Sequence, residues 1–347
     1  MVKRPIFNAI LAAVCYGISI PAAKLLLENM PPVFMAAMLY IGAGLGMAFV
    51  SLFQRKHVKE KEARITKREL PYVLAMIGLD IAAPILLMIG LAITSPATAS
   101  LLNNFEIVAT TVIALVVFKE AVGKRMWIAI TLILIASIIL TVEDFSSLTF
   151  STGSIFILLA CVCWGIENNC TRMLSLKNPL HIVVIKGIGS GFGALLIAIL
   201  IGNVYIDILY IVFALLLGFI AYGLSIYFYI LAQRNLGASR TSAFYAIAPF
   251  IGVGLSFLIF SESPSLSFWV AVVIMIAGAY LAAFENHKHE HTHRENEHEH
   301  RHEHNDGHHD HAHEHPITGD HSHLHTHAGV THNHTHTPDL HHTHEHS

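Results

Sequence analysis

The sequence predicts an all-α integral membrane protein, with ten transmembrane helices built as two inverted five-helix repeats and a disordered histidine-rich C-terminal tail. Three observations carry this. The 347 residues are 54% hydrophobic and 13% charged, with a mean hydropathy of +0.57, too apolar for an ordinary soluble domain. Short patterns recur about half a chain apart. Polar sequence is concentrated after Asn286, where 24 of the 26 histidines lie.

A bilayer core of about 30 Å takes about 20 apolar residues per helix. Such segments run Ile6 to Leu27, Val33 to Phe53, Leu70 to Leu91, Ala97 to Phe118, Met126 to Val142, Gly153 to Met173, Ile182 to Ile201, Ile206 to Leu231, Thr241 to Phe260 and Leu266 to Phe284. Lys3 and Arg4 before an apolar stretch have the form of a signal peptide, but Lys24 and a second copy of the stretch favour a true span. Cys15, Cys161, Cys163 and Cys170 all lie in apolar runs, which excludes a secreted disulfide framework.

Short cytoplasmic loops collect Lys and Arg. Alternate connections hold Lys3 and Arg4; Arg55, Lys56, Lys59, Lys61, Arg64, Lys67 and Arg68; Lys119, Lys124 and Arg125; Lys177; and Arg234 and Arg240. Glu28, Glu143, Asp144, Asp207 and Glu262 fall in or beside the others. Both termini are therefore expected in the cytoplasm of a cell carrying this protein in its inner or plasma membrane.

Residues 13–18, AVCYGI, match residues 161–166, CVCWGI, and the same spacing of 148 carries Lys24 onto Arg172. At a spacing of 147, Pro32 falls on Pro179, and Gly42, Gly44 and Gly46 fall on Gly189, Gly191 and Gly193. LVVFKE ending at Glu120 resembles SFLIFSE ending at Glu262. Because each half holds an odd number of helices, the second enters the membrane from the opposite face, the arrangement associated with a midplane solute site and alternating access. The expected units are residues 1–148, 149–285 and the tail, 286–347.

The Tyr16-Gly17 and Trp164-Gly165 pairs, Lys24 and Arg172, and the terminal Glu120 and Glu262 resemble the EamA-type transporters of the drug/metabolite transporter superfamily. The resemblance covers residues 6–284. It implies ten helices, cytoplasmic termini and export of amino acids, metabolites or related small molecules. Where many members carry an arginine early in the second helix of each half, this chain has Tyr40 and Gly187, with Lys186 adjacent.

Ionisable side chains within a span are costly and are functional candidates by default. Six lie in the spans, Asp80, Glu106, Glu167, Lys186, Lys24 and Arg172, of which Lys24 and Arg172 are near helix ends and have the reach to snorkel. Glu106 has Asn103 and Asn104 nearby, and Glu167 has Asn168 and Asn169. All eight residues, from Asp80 to Lys186, are candidates for substrate binding or proton coupling, with internal ion pairing as the competing role. Cys163, Glu167 and Cys170 share a helical face that could touch a soft metal, although buried thiols more often simply pack. The glycine ladders mark close helix packing.

The tail repeats H-x-H with Glu, Asp and Thr interleaved and has too little apolar content for a core. Neutral imidazoles bind transition metals. The candidates are His287, His289, His291, His293, His298, His300, His302, His304, His308, His309, His311, His313 and His315, offering sites to Zn, Ni or Co beside the pore, with a pH-responsive or passive role as alternatives. No cofactor is otherwise required. The expected partners are the lipid bilayer, a small-molecule substrate and transition-metal ions; no nucleic acid is expected, and a homodimer is compatible with the sequence. With no GxxxxGK[ST], and with HExxH absent from the spans and found only in the histidine-rich tail at residues 289–293 and 298–302, the chain is expected to be a secondary transporter and not an enzyme. Metal or metal-chelate export and a non-transporting metal sensor are the alternatives.

Overall fold

A computed structural model describes residues 3–54, 67, 69–118, 122–144, 149–174, 177–236, 241, 244–261 and 263–283, and in the tail the backbone of 287–292, 296–302, 321–327 and 331–336. Within lipid, backbone N–H and C=O groups find no water, so each spanning segment must satisfy them internally as a helix. Among the described residues, nine helices are long and apolar enough to cross a bilayer: Pro5–Leu27, Pro32–Phe53, Leu70–Ala92, Pro96–Val117, Lys124–Thr141, Thr152–Thr171, Pro179–Leu200, Ile208–Ala232 and Leu266–Ala283. Between the last two lies a shorter apolar helix, Ala248–Phe260. The sequence predicts a span beginning at Thr241 there, but a turn at Ala246–Ile247 cuts the continuous helix short. These ten segments are called here the first to the tenth span.

Local chemistry fixes several starts. Ser95 accepts a hydrogen bond from Thr98 N–H, Ser151 from Ser154 N–H, Asp207 from Leu209 N–H, and Asn178 from both Leu180 and His181 N–H. Each such cap contributes about 1 kcal/mol. Pro96 and Pro179 follow their caps at the first turn, where a missing N–H costs nothing. Outward faces stay apolar, with Phe49, Phe53, Leu200 and Leu258 all exposed, as a lipid-facing surface requires. A short antiparallel pair, Val142–Asp144 with Thr149–Phe150, links the fifth and sixth spans; the all-helical expectation did not include it.

The packing has the symmetry of two inverted halves. The second span packs on the seventh, the fifth on the tenth and the fourth on the ninth, each pairing mapping onto itself when the halves are exchanged. The third packs on the sixth while the first packs on the eighth, and the third meets the seventh while the second meets the eighth. Glycine positions show the same relation. A β-carbon on Gly44 would lie 2.6 Å from the backbone nitrogen of Ile188, and one on Gly191 would lie 2.6 Å from that of Ile41. At the spacing of 147, Gly44 corresponds to Gly191 and Ile41 to Ile188. On either side of this crossing Gly42 and Gly46 face Leu215 and Phe219 of the eighth span, while Gly189 and Gly193 face Ile77 and Ile81 of the third.

In the tail, whose composition supplies no core, the described backbone consists of two separate antiparallel ladders, His287–Thr292 with Thr331–His336 and Asn296–His302 with His321–His327. Two-stranded ribbons of this kind are marginally stable in water on their own.

Candidate functional site

Three of the six ionisable residues predicted within the spans meet at one point between the halves. Lys186, on the seventh span, places its Nζ 3.1 Å from Asp80 Oδ2 of the third span and 3.0 Å from Glu167 Oε1 of the sixth. Asp80 and Glu167 side chains are 0% and 1% exposed, and Lys186 is 11% exposed, so only the ammonium arm is incompletely sealed. Hydroxyl groups hold the carboxylates independently of the lysine. Tyr40 donates to Asp80 Oδ1 at 3.0 Å, and Thr171 donates to Glu167 Oε1. Trp164 Nε1 donates in turn to the Tyr40 hydroxyl at 3.4 Å. Bringing such groups out of water costs several kcal/mol per ion, offset only by close pairing and further hydrogen bonds.

Glu106 occupies a neighbouring position on the fourth span. Its Oε1 accepts a 2.7 Å hydrogen bond from Asn168 Nδ2, which also reaches Thr110 Oγ1 at 3.2 Å. The predicted grouping of Asn168 with Glu167 is thus replaced by a bond between halves, because residues adjacent on a helix point about 100° apart. The other amides serve the framework: Asn169 donates to Gly165 O and Thr110 O, Asn104 donates to Leu101 O, and Asn103 donates to the Tyr16 hydroxyl. Gly165 permits this approach, since a β-carbon there would lie 2.6 Å from Ala109 Cβ.

A row of aromatic rings joins the two regions. Tyr40 lies 5.5 Å from Tyr222 between ring centroids, Tyr222 lies 6.1 Å from Tyr16, and Tyr16 lies 5.7 Å from Tyr245. Tyr222 and Tyr245 were not anticipated from the sequence. The available signal was the Tyr222-Gly223 dipeptide, a second Tyr-Gly pair beside Tyr16-Gly17.

Backbone irregularities adjoin or include members of this row. The fourth span breaks at Asn103–Asn104, where Asn104 N–H bonds Leu101 O and Ile107 N–H bonds Asn104 O. The ninth repeats the pattern 143 residues later, with Ile247 N–H bonding Phe244 O and Phe250 N–H bonding Ile247 O. The eighth span carries a π segment, Phe219–Leu224, that includes Tyr222. Such wide turns are frequent at functional sites, and broken helices in membranes are tolerated where protein surrounds them.

Lys24, read as a helix-end charge with the reach to snorkel, lies against the end of the third span. Its Nζ donates to Leu91 O, Ala92 O and Thr94 O at 2.7, 3.1 and 2.9 Å. It thereby satisfies carbonyls that the end of the third helix leaves open and complements the negative end of its dipole. At the opposite end of that helix Glu69 pairs with Lys177 at 3.0 Å. The side chain of Arg172, the tail histidine side chains, Glu120 and Glu262 lie outside the described residues. Among the described residues no group of three or more His, Cys, Asp or Glu side chains, the Cys163, Glu167 and Cys170 stripe included, is placed together to hold a metal ion. Cys161 donates weakly to Leu102 O at 3.7 Å, and Glu167 is committed to Lys186.

The sequence matches the EamA-like transporter family over residues 3–142 and 151–284. An uncharacterized transporter of Methanothermobacter thermautotrophicus is 28% identical over 291 residues, covering 79% of this chain and 84% of that protein. The uncharacterized transporter YyaM of Bacillus subtilis is 23% identical over 241 residues, covering 64% of this chain and 76% of its own length. A crystal structure described only as that of a protein shares the fold, with a TM-score of 0.57 and 16% identity over 79% of this chain and 95% of the other.

Proposed function

Because this chain belongs to the EamA-like transporter family and is by that membership a membrane transporter, we propose that it is a secondary-active carrier exporting a small metabolite by alternating access through the site around Lys186. The observation that carries this reading is the ion cluster itself. Asp80, Glu167 and Lys186 come from three different spans in both halves, at a point where each half approaches the other closely enough to exclude a β-carbon. A change in what occupies that cluster alters the attraction between helices on both sides, which is the coupling alternating access needs. The matching breaks in the fourth and ninth spans supply places where half-helices can tilt.

In this reading residues 1–148 and 149–285 are the two moving units, and both termini face the cytoplasm of the cell membrane, following the lysine and arginine distribution. Glu106 and Glu167 are the groups able to take up a proton or contact solute as the site changes access. Asn168 holds Glu106, Lys186 joins Glu167 to Asp80, and Asn103, Asn104 and Asn169 hold the framework around them. The solute is moved, not chemically altered.

The experiment is solute release from proteoliposomes containing the full chain and preloaded with a defined metabolite mixture, followed by mass spectrometry. Wild-type protein should deplete at least one solute, and Glu167→Gln should release it at least tenfold more slowly with equal protein incorporated. Release at the wild-type rate by that variant would remove the site from the pathway.

A second reading, export of a divalent metal or metal chelate such as Ni, Co or Zn, is favoured by the concentration of 24 histidines after Asn286, which makes a metal-binding tail facing the cytoplasm. Elemental analysis of cells expressing the full chain, a truncation after Phe284, or Glu167→Gln separates the two. A fall in one metal that needs Glu167 supports metal export, and its dependence on the tail shows whether the histidines feed that route. A metal effect of the tail with no transport by the core would favour a sensor.

A further inference from the structure

We propose that the Asp80–Glu167 pair is a receptor for a primary ammonium group on the transported solute, and that the Lys186 ammonium is its tethered occupant when no solute is bound. The proposal rests on the carrier reading above and names the chemistry of its cargo.

The pair already accommodates an ammonium. One nitrogen sits 3.1 Å from Asp80 and 3.0 Å from Glu167, a geometry that any primary ammonium of similar size reproduces, since its three N–H donors rotate freely. The receptor does not depend on Lys186 for its shape. The Tyr40 hydroxyl holds Asp80 and the Thr171 hydroxyl holds Glu167 from positions outside the lysine. Tyr40 is in turn braced by Trp164 and packed on Tyr222, which places aromatic rings beside the ion cluster, an environment suited to a cation and its alkyl stem.

Charge sets the sign of the arriving ligand. Among the described residues, Asp80 and Glu167 flank the Lys186 ammonium and Glu106 lies on the neighbouring Asn168, so with these groups ionised a second cation is attracted and an anion repelled. Lysine suits a displaceable occupant. Its charge rides on a flexible four-carbon stem without the planar fork that locks arginine to a carboxylate, and its side chain is the least sealed of the three. An incoming ammonium takes over the carboxylates, and Lys186 withdraws with its stem along the seventh span.

The test removes the tethered cation and supplies a free one. Lys186→Ala in the purified full chain leaves out the side chain that n-butylammonium resembles. Thermal unfolding is followed with n-butylammonium, n-butanol or butyrate at equal concentration. The expected result is a saturable rise in Tm of roughly 3 °C or more with n-butylammonium alone. The half-saturating concentration should rise at least tenfold when Glu167→Gln is added. Equal effects of the three probes, or an unchanged response in the double variant, would overturn the proposal. If Lys186→Ala does not yield folded protein, the comparison is made on wild type against Asp80→Asn and Glu167→Gln, whose side chains keep their shape. Wild type should be stabilised selectively by n-butylammonium and both variants should not; the same response in all three overturns the ammonium site. Flux of a solute lacking an amine, with no selective stabilisation, overturns the ammonium receptor and leaves the carrier. Selective stabilisation with no flux of any solute overturns the carrier and leaves an ammonium-binding site.

Discussion

Asn168 donates to Glu106 at 2.7 Å across the contact between the fourth and sixth spans, so the one partly exposed carboxylate of the site is held by an amide from the opposite half. Replacing Asn168 with Leu leaves that carboxylate without its amide donor in apolar surroundings. Loss of a hydrogen bond to a charged group costs about 1.5–3 kcal/mol, and solute release should fall roughly tenfold or more. Glu106→Gln keeps the shape and should reduce transport while abundance in the membrane stays normal. Immunoblots beside flux measurements check both, and wild-type flux in the two variants would show that this contact is only structural.

Lys186→Met strands two buried carboxylates. Removing one partner of a buried ion pair typically costs about 3–5 kcal/mol, so the variant should melt well below wild type in detergent. Adding Glu167→Gln to it removes one of the stranded charges, and the double variant should recover part of the lost Tm. Such non-additivity is the signature of groups acting as one unit; simple addition of the two losses would mean that the residues do not share a network.

Gly187 lies where a β-carbon would come 2.4 Å from the backbone nitrogen of Gly44, whereas one on Gly78 would meet nothing within 4 Å. The clash is with backbone and cannot be relieved by a rotamer change. Gly187→Ala should therefore lose about 1–3 kcal/mol or more, with reduced yield of monodisperse protein. Gly78→Ala should behave as wild type or better, since alanine favours helix. Size-exclusion profiles and melting curves of the pair decide it.

Lys24→Gln withdraws a cation from three carbonyls at the end of the third span. The helix end should fray and separate from the first span. Amide hydrogen exchange over residues 88–94 should speed up severalfold, consistent with a cap worth about 1 kcal/mol, while exchange over the second span stays unchanged.

The spans and their inversion were legible in the sequence because the bilayer imposes hydrophobic length on each segment and the spacing of 147 or 148 residues marks two five-helix copies. Glycine positions read as packing marks prove to be the crossing of the second and seventh spans, with Gly44 against Ile188 and Gly191 against Ile41. The candidate site was legible as a set of costly residues but not as a set of partners. Asn168 looks like a neighbour of Glu167 in sequence, yet it serves Glu106, since pairing depends on which faces two distant helices present. Lys24 is legible as a helix-end charge, but its direction follows from the open carbonyls of another span. Tyr222 and Tyr245 are inconspicuous inside apolar runs because tyrosine rings are ordinary there; only the crossing of four spans brings them into a row with Tyr16 and Tyr40.

The contact of Gly44 with Ile188, mirrored by Gly191 with Ile41, gives the second and seventh spans the mechanics of crossed blades held by a rivet. Rods joined backbone to backbone at one point cannot slide there, but they can rock about it, and in the proposed alternating access parting the tips at one membrane face closes them at the other. A pair of spin labels at Ala43 and Ile188 would read the same separation throughout a transport cycle. Labels at the blade tips, near Phe53 and Leu200, would each sweep relative to the opposite span, so the informative coordinate of this carrier is an angle.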